Sequence, residues 1–287
     1  MNAAIISLRD WLKTPPGTYM LDWEQAQFDQ AVSDIFGYHA LQLGLPELDT
    51  LRSNRMPHRW LAPQVMAPRN AACRDRADSD SASSGQVVSP TRQLPTSSPM
   101  RPAFITDSSA LPFAANSLDL VVLPHTLEIS NDPHATLREV ERVLVPEGRV
   151  VICGLNPASL WGLRQRRGHV FQRLGYGDLF LPQSGDFIGY WRLRDWLRLL
   201  NFEVESGSFG CYRPALTSQK WLSRFDWMDR AGSRWWPIFG AVYFLVAVKR
   251  VRGVRLLEPA WKSRKALAAA PAAVANKEPA SRRGPQI

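Results

Sequence analysis

Leu118-Asp-Leu-Val-Val-Leu123, Asp132-Pro133 and Arg149-Val-Val-Ile-Cys-Gly154 decide the fold class of this chain. The first is a continuous apolar run with one acid near its start, the pattern of a strand covered on both faces of a parallel sheet. Asp132 and Pro133 form a helix N-cap and first-turn pair. The helix they open puts Leu137, Val140, Val143 and Leu144 on one face and leaves Arg138, Glu139, Glu141 and Arg142 outside it. Pro146 and Gly148 stop it, and Arg149 begins the next strand. Strand, helix and strand in this order predict a right-handed parallel crossover and hence an α/β protein.

The flanks extend the same alternation. Residues 22–36 carry Phe28, Val32, Ile35 and Phe36 at helical spacing behind an acidic first turn, with Gly37 as the stop. His39-Ala-Leu-Gln-Leu-Gly44 is a short strand closed by glycine, and Leu45-Pro46 starts a turn. A further helix is predicted over 193–200, with Trp196, Leu197 and Leu200 inward, followed by strands at 202–206 and 243–249. The count comes to five to seven strands with helices between them.

Between residues 67 and 101 the chain turns to Ser, Pro, Ala, Asp and Arg, too poor in large apolar side chains to offset the entropy of ordering. It is predicted to be a disordered insertion within a single domain spanning 1–259. Residues 260–287, with an Ala-rich run, are predicted to be a disordered basic tail. The formal net charge is +9, and from Lys249 onward ten basic residues face only Glu258 and Glu278. Such a tail can contact nucleic acid or an anionic membrane, or can simply be solvated.

Cys73, Cys153 and Cys211 are odd in number and far apart, which indicates neither a disulfide framework nor a zinc site, and no metal is expected. The N-terminal apolar run from Ala3 to Ile6 is too brief for a signal-peptide core. The longest apolar stretch, 235–248, contains Pro237 and Gly240 and is shorter than the ~20 residues of a membrane-spanning helix. A cytoplasmic protein without a transmembrane segment is expected.

Asp107-Ser-Ser-Ala-Leu-Pro-Phe113, then Asn116-Ser-Leu-Asp119-Leu-Val-Val, then Leu137-Arg-Glu-Val-Glu-Arg-Val-Leu-Val-Pro-Glu-Gly148 together resemble the type 11 methyltransferase domain family, which includes the ubiquinone and menaquinone biosynthesis methyltransferases. The resemblance implies a class I, Rossmann-like fold with a seven-stranded, mostly parallel sheet and helices on both faces. It implies S-adenosylmethionine as cofactor and methyl transfer to an acceptor, most simply a small molecule. Ligands of such sheets bind beyond the carboxyl ends of the strands, where Gly44, Asp107, Ser108, Leu111 and His125 are the expected cofactor contacts. Asp107 would accept a hydrogen bond from the adenine amine, or else only cap its own turn. His125, at the end of the strand 118–123, is the candidate catalytic residue or a helix-cap residue.

The sequence departs from the family upstream. A turn with several glycines is expected against the cofactor's carboxypropyl group, but Leu43-Gly44-Leu45-Pro46-Glu47 has one, and Arg59-Trp-Leu-Ala-Pro63 carries no ribose-binding acid. Cofactor binding in a different manner and a non-catalytic binding protein of the same fold both stay open, as does an RNA- or membrane-associated protein led by the basic C-terminus. The segment after Gly154 should lie above the strand ends. Its Trp161, Arg164, Arg166, Arg167 and Tyr190 combine rings and guanidinium groups suited to a planar or anionic acceptor, or alternatively pack and face solvent.

Overall fold

The computed structural model of the chain describes residues 8–63, 103–104, 106–173, 180–181 and 187–251, all within the unit Met1–Val251. The expected insertion, the tail and Cys73 lie outside the described residues.

Six strands are formed: β1 (His39–Leu43), β2 (His58–Ala62), β3 (Leu118–Pro124), β4 (Leu144–Leu155), β5 (Phe202–Gly210) and β6 (Val242–Lys249). They make one sheet in the order β2-β1-β3-β4-β6-β5. β2, β1, β3 and β4 run parallel, while β6 is antiparallel to both β4 and β5. The expected α/β fold is therefore present, with six strands among the described residues rather than seven. At the outer edge of β2 the Ala103 N–H donates to the Leu61 carbonyl at 2.9 Å, so the chain passes beside that edge without a described ladder.

Helices α1 (Leu8–Leu12) and α2 (Pro15–Ser33) cover one face of the sheet. α3 (Thr126–Ile129), α4 (Pro133–Val143) and α6 (Tyr190–Leu199) belong to the other. α5 (Leu160–Arg173) follows β4, and α7 (Gln219–Arg224), α8 (Trp227–Trp235) and a 3-10 turn, η1 (Pro237–Phe239), lie between β5 and β6. The apolar stretch 235–248 is thus a helix end, a turn and a buried strand. No described helix is long and apolar enough to cross a membrane.

α4 forms as expected. Asp132 accepts hydrogen bonds from the N–H groups of His134 and Ala135, and Leu137, Val140 and Val143 are buried. Its far end is capped by Lys249, whose Nζ donates to the Glu141 and Leu144 carbonyls at 2.6 and 2.9 Å. A cation at a helix C-terminus satisfies orphan carbonyls and complements the dipole. The first cation of the basic C-terminal run is therefore a structural group.

α2 begins seven residues earlier than its acidic turn indicates, because Pro15 and Pro16 occupy its first positions, where a missing N–H costs nothing. It also ends early. Asn54 Nδ2 donates to the carbonyls of Val32 and Ile35 at 2.8 and 3.1 Å, so a side chain takes over where helical bonds would continue. The buried stripe Met20, Glu24, Phe28 and Val32 has a spacing of four. β4 starts directly at the end of α4, earlier than Arg149. Leu144 pairs with Leu118, and the ladder then shifts to Leu120 and Arg149.

Asp119, the acid inside β3, has a structural task. Its Oδ2 accepts the N–H groups of Tyr38 and His39 at 2.8 and 2.9 Å, tying the start of β1 to β3. Gly37 permits this approach, since a Cβ there would lie 2.5 Å from the Asp119 Cβ. Asp119→Ala removes two charge-assisted bonds and is expected to destabilise the fold by about 2–4 kcal/mol. Urea denaturation of the variant against the native chain measures this.

Candidate functional site at the carboxyl edge of the sheet

β1 continues into β2 on one side and β3 into β4 on the other, so the strand order reverses between β1 and β3. This is the switch point at which doubly wound sheets bind ligands. Gly44 ends β1 with φ +107, and His125 ends β3 with φ +53. The structure brings these two expected residues to the same crevice.

The crevice between them is filled by the chain. Thr126 Oγ1 donates to the Leu43 carbonyl at 2.6 Å. A Cβ on Gly44 would lie 2.7 Å from that hydroxyl oxygen. The Gly44 N–H donates to the Ala62 carbonyl at 3.1 Å. The glycine thus makes room for Thr126, and its backbone donor serves β2.

His125 is buried between two acids. Nε2 lies 2.8 Å from Glu24 Oε1 of α2, and Nδ1 lies 3.0 Å from Glu128 Oε2. Glu128 also accepts the Leu155 N–H at the end of β4. Burial opposes charge on the imidazole, but the carboxylates of Glu24 and Glu128 outweigh it and hold the His125 pKa well above the usual imidazole range. Its left-handed backbone is a sparsely populated conformation for a non-glycine residue. The His125 N–H bond to the Cys153 carbonyl at 3.0 Å and the two ring contacts hold it there.

Cys153 Sγ adds a third donor beside Glu24 and His125, and these donor atoms lie within 4.8 Å of one another. Both imidazole nitrogens are already at hydrogen-bond distance from a carboxylate, so the group is built as an ion-paired cluster. Burial pushes the Cys153 thiol well above its ordinary pKa, with Glu24 and Glu128 adding to the effect. A thiol in such surroundings is unreactive. The expected role of His125 as a base or cofactor contact meets the same obstacle, because no ring nitrogen is open to a ligand.

Ser108, expected to touch the cofactor, is buried in a hydroxyl triangle. It lies 2.9 Å from Thr136 Oγ1, which lies 2.8 Å from Ser130 Oγ. Leu111 is buried, and its N–H donates to Glu139 Oε1 at 2.8 Å. Arg142 Nη2 donates to the Leu111 and Phe113 carbonyls at 3.2 and 2.9 Å, while its Nε holds Glu139 at 2.9 Å. Two of the sequence blocks therefore interlock physically. Asp107 alone of the five expected cofactor contacts is exposed, and its Oδ1 accepts the Ser109 N–H at 3.0 Å.

The acceptor residues also separate. Trp161 is buried against Trp11 and Phe180, and its Nε1 donates to the Arg213 carbonyl at 2.7 Å, so it packs rather than faces a substrate. Arg164 donates to the Ala215 carbonyl and lies over the Phe180 ring at 4.7 Å. Tyr190 is half-buried against Phe209 and Tyr243. Arg166 and Arg167 are exposed on α5.

Sequence reading missed Glu24 and Glu128. The signals were present: an acid within a four-residue apolar stripe, and an acid three residues beyond His125, where one helical turn returns to the same side.

The methyltransferase domain family matches residues 85–152. The uncharacterized protein YafS of Escherichia coli (strain K12) is 43% identical over 98 residues, 34% of this chain and 38% of that protein. The malonyl-[acyl-carrier protein] O-methyltransferase of Gallionella capsiferriformans (strain ES-2) is 42% identical over 74 residues, 26% of this chain and 23% of that protein. The matched region thus spans well under half of either relative's length. Among solved structures, a SAM-dependent methyltransferase from Archaeoglobus fulgidus covers 80% of this chain and 94% of its own at 14% identity, with a TM-score of 0.46. Residues 85–152 are thus similar to the methyltransferase domain family, within a chain whose described residues form an α/β sheet.

His125→Ala leaves two buried carboxyl groups facing each other and is expected to cost about 3–5 kcal/mol. The raised folded pKa means that the stabilisation is fully present below the unfolded imidazole value of about 6.5 and is lost as pH rises through the folded value. Thermal denaturation of both proteins over a pH series should show the gap between native chain and variant narrowing toward alkaline pH.

Proposed function

We propose that the chain is an S-adenosylmethionine-dependent methyltransferase acting on a small planar or anionic acceptor. The observation that carries this reading is the exposed Asp107 carboxylate, set within the family-matched residues in a turn closed by the Ala110 and Ser109 N–H groups, just before the Leu111–Phe113 backbone that Glu139 and Arg142 hold. A carboxylate fixed in that way suits an exocyclic amine such as that of adenine. The cofactor, when bound, supplies an electrophilic methyl group on a sulfonium. Methyl transfer then asks the protein mainly for alignment and shielding.

The described residues fit the cofactor unevenly. Asp107 suits its adenine end. Gly44 and His125 do not suit its methionine end, because Thr126 fills the space beside one and two carboxylates occupy the other. His125 acts in this reading as a positioning residue that holds the β3 turn. Arg166 and Arg167 on α5, exposed just after the carboxyl end of β4, are suited to an anionic acceptor group.

Isothermal titration with S-adenosylmethionine tests the reading, and absence of binding would overturn it. Asp107→Ala should weaken binding by roughly 1.5–3 kcal/mol, the worth of one charge-assisted hydrogen bond. Asp119→Ala, measured while folded, should not weaken it.

The acceptor is to be sought by screening extracts for transfer of a radiolabelled methyl group. With that acceptor, the double variant Arg166→Ala/Arg167→Ala is expected to raise KM about tenfold or more while leaving S-adenosylmethionine affinity unchanged. An unaltered KM would remove the two arginines from the acceptor site.

A further inference from the structure

β6 runs antiparallel, with Val242 pairing with Leu155 at the end of β4 and with Gly210 at the end of β5. The connection carrying α7, α8 and η1 therefore leaves and rejoins the sheet at its carboxyl edge, the edge that holds Gly44 and His125. Along this connection Trp221, Trp227, Trp235, Trp236, Ile238 and Phe239 are all exposed, Trp235 to 76% and Phe239 to 55%. Residues 235–239 form five consecutive exposed apolar positions. A run of that kind is left open to solvent among the described residues and marks an interaction surface.

The tip is held firmly. Asn156 Nδ2, just beyond β4, donates to the carbonyls of Ile238 and Gly240 at 2.7 and 2.9 Å. Asp226 and Asp229, the acids of the connection, are both engaged by Arg213, and Asp229 also accepts from Tyr19. Lys220, Arg224, Arg230 and Arg234 are exposed and make no ion pair among the described residues. Exposed apolar rings thus stand along the same connection as exposed cations without an ion pair among the described residues, Arg224 lying over the Trp221 ring at 6.0 Å.

We propose that this face docks on an anionic lipid bilayer, with residues 235–239 entering the interfacial layer and the four cations meeting lipid phosphates. Tryptophan suits that layer because its ring is apolar and its N–H can stay wet. Lys and Arg side chains reach the headgroups while their stems lie along apolar surface. The other occupants fit less well. Two copies meeting through this face would oppose four cations with four. A single nucleic-acid strand needs ring faces in series, whereas the tip carries Pro237 and Ile238, which have none.

The test is sedimentation of the full chain with vesicles of phosphatidylcholine alone and of phosphatidylcholine with phosphatidylglycerol in equal parts. Binding is expected to the mixed vesicles and to weaken as salt is raised. The triple variant Trp235→Ser/Ile238→Ser/Phe239→Ser should lose about tenfold or more of that binding, and Lys220→Gln/Arg224→Gln/Arg230→Gln/Arg234→Gln a comparable amount. The substituted side chains are exposed, so far-UV circular dichroism and Tm should match the native chain. No binding to the mixed vesicles overturns the proposal. Undiminished binding by the triple variant also overturns it, since it would assign adhesion to the basic sequence after Val251. Loss by the variant of polyuridylate binding or of self-association in sedimentation velocity, with vesicle binding intact, would assign the face to nucleic acid or to a second copy instead.

Discussion

His125 joins three elements that are far apart in the chain. Glu24 comes from α2, His125 itself from the end of β3, and Glu128 carries the contact on to the Leu155 N–H of β4. The group is sealed from water, where a charge costs several kcal/mol unless it is paired and each pair is correspondingly sensitive to loss of a partner. The position of α2 over the sheet and the left-handed turn after β3 are consequences of satisfying that imidazole on both sides. Once the turn is made, Thr126 falls beside Leu43 and closes the space over Gly44.

The carboxyl edge is thereby divided. Its centre, at the reversal of strand order, is occupied by the chain's own side chains. Its exposed parts are the Asp107 turn to one side and the helices that follow β4 and β5 to the other.

The Asp107–Phe113 and Leu137–Gly148 blocks have a mechanical as well as a chemical content. Glu139 and Arg142 lie on the outer face of α4 by periodicity, as solvated charges do. They instead grip the backbone of Leu111 and Phe113, and Arg142 holds the Glu139 carboxyl below its usual range. The spacing between these blocks is the distance over which that grip has to operate. Ser108, Ser130 and Thr136 reinforce it from inside.

Much of the fold was legible in residue order. The apolar run of β3, the Asp132 cap, the periodicity of α4 and the glycine after β1 each act over a few residues, and each strand or helix they announced is present. Boundaries were less legible where a distant partner sets them: Asn54 ends α2, and Leu118 draws the start of β4 back to Leu144. The site followed the same division. Residue order alone marked the carboxyl-edge positions, since a strand's polarity fixes where its end lies. It could not tell that His125 faces inward between Glu24 and Glu128, that Trp161 is packed while the tryptophans of α7 and α8 are exposed, or that Thr126 fills the crevice. Those outcomes depend on contacts between residues as far as 150 positions apart, such as Trp11 and Trp161, whose geometry exists once the sheet and the helices over it have come together.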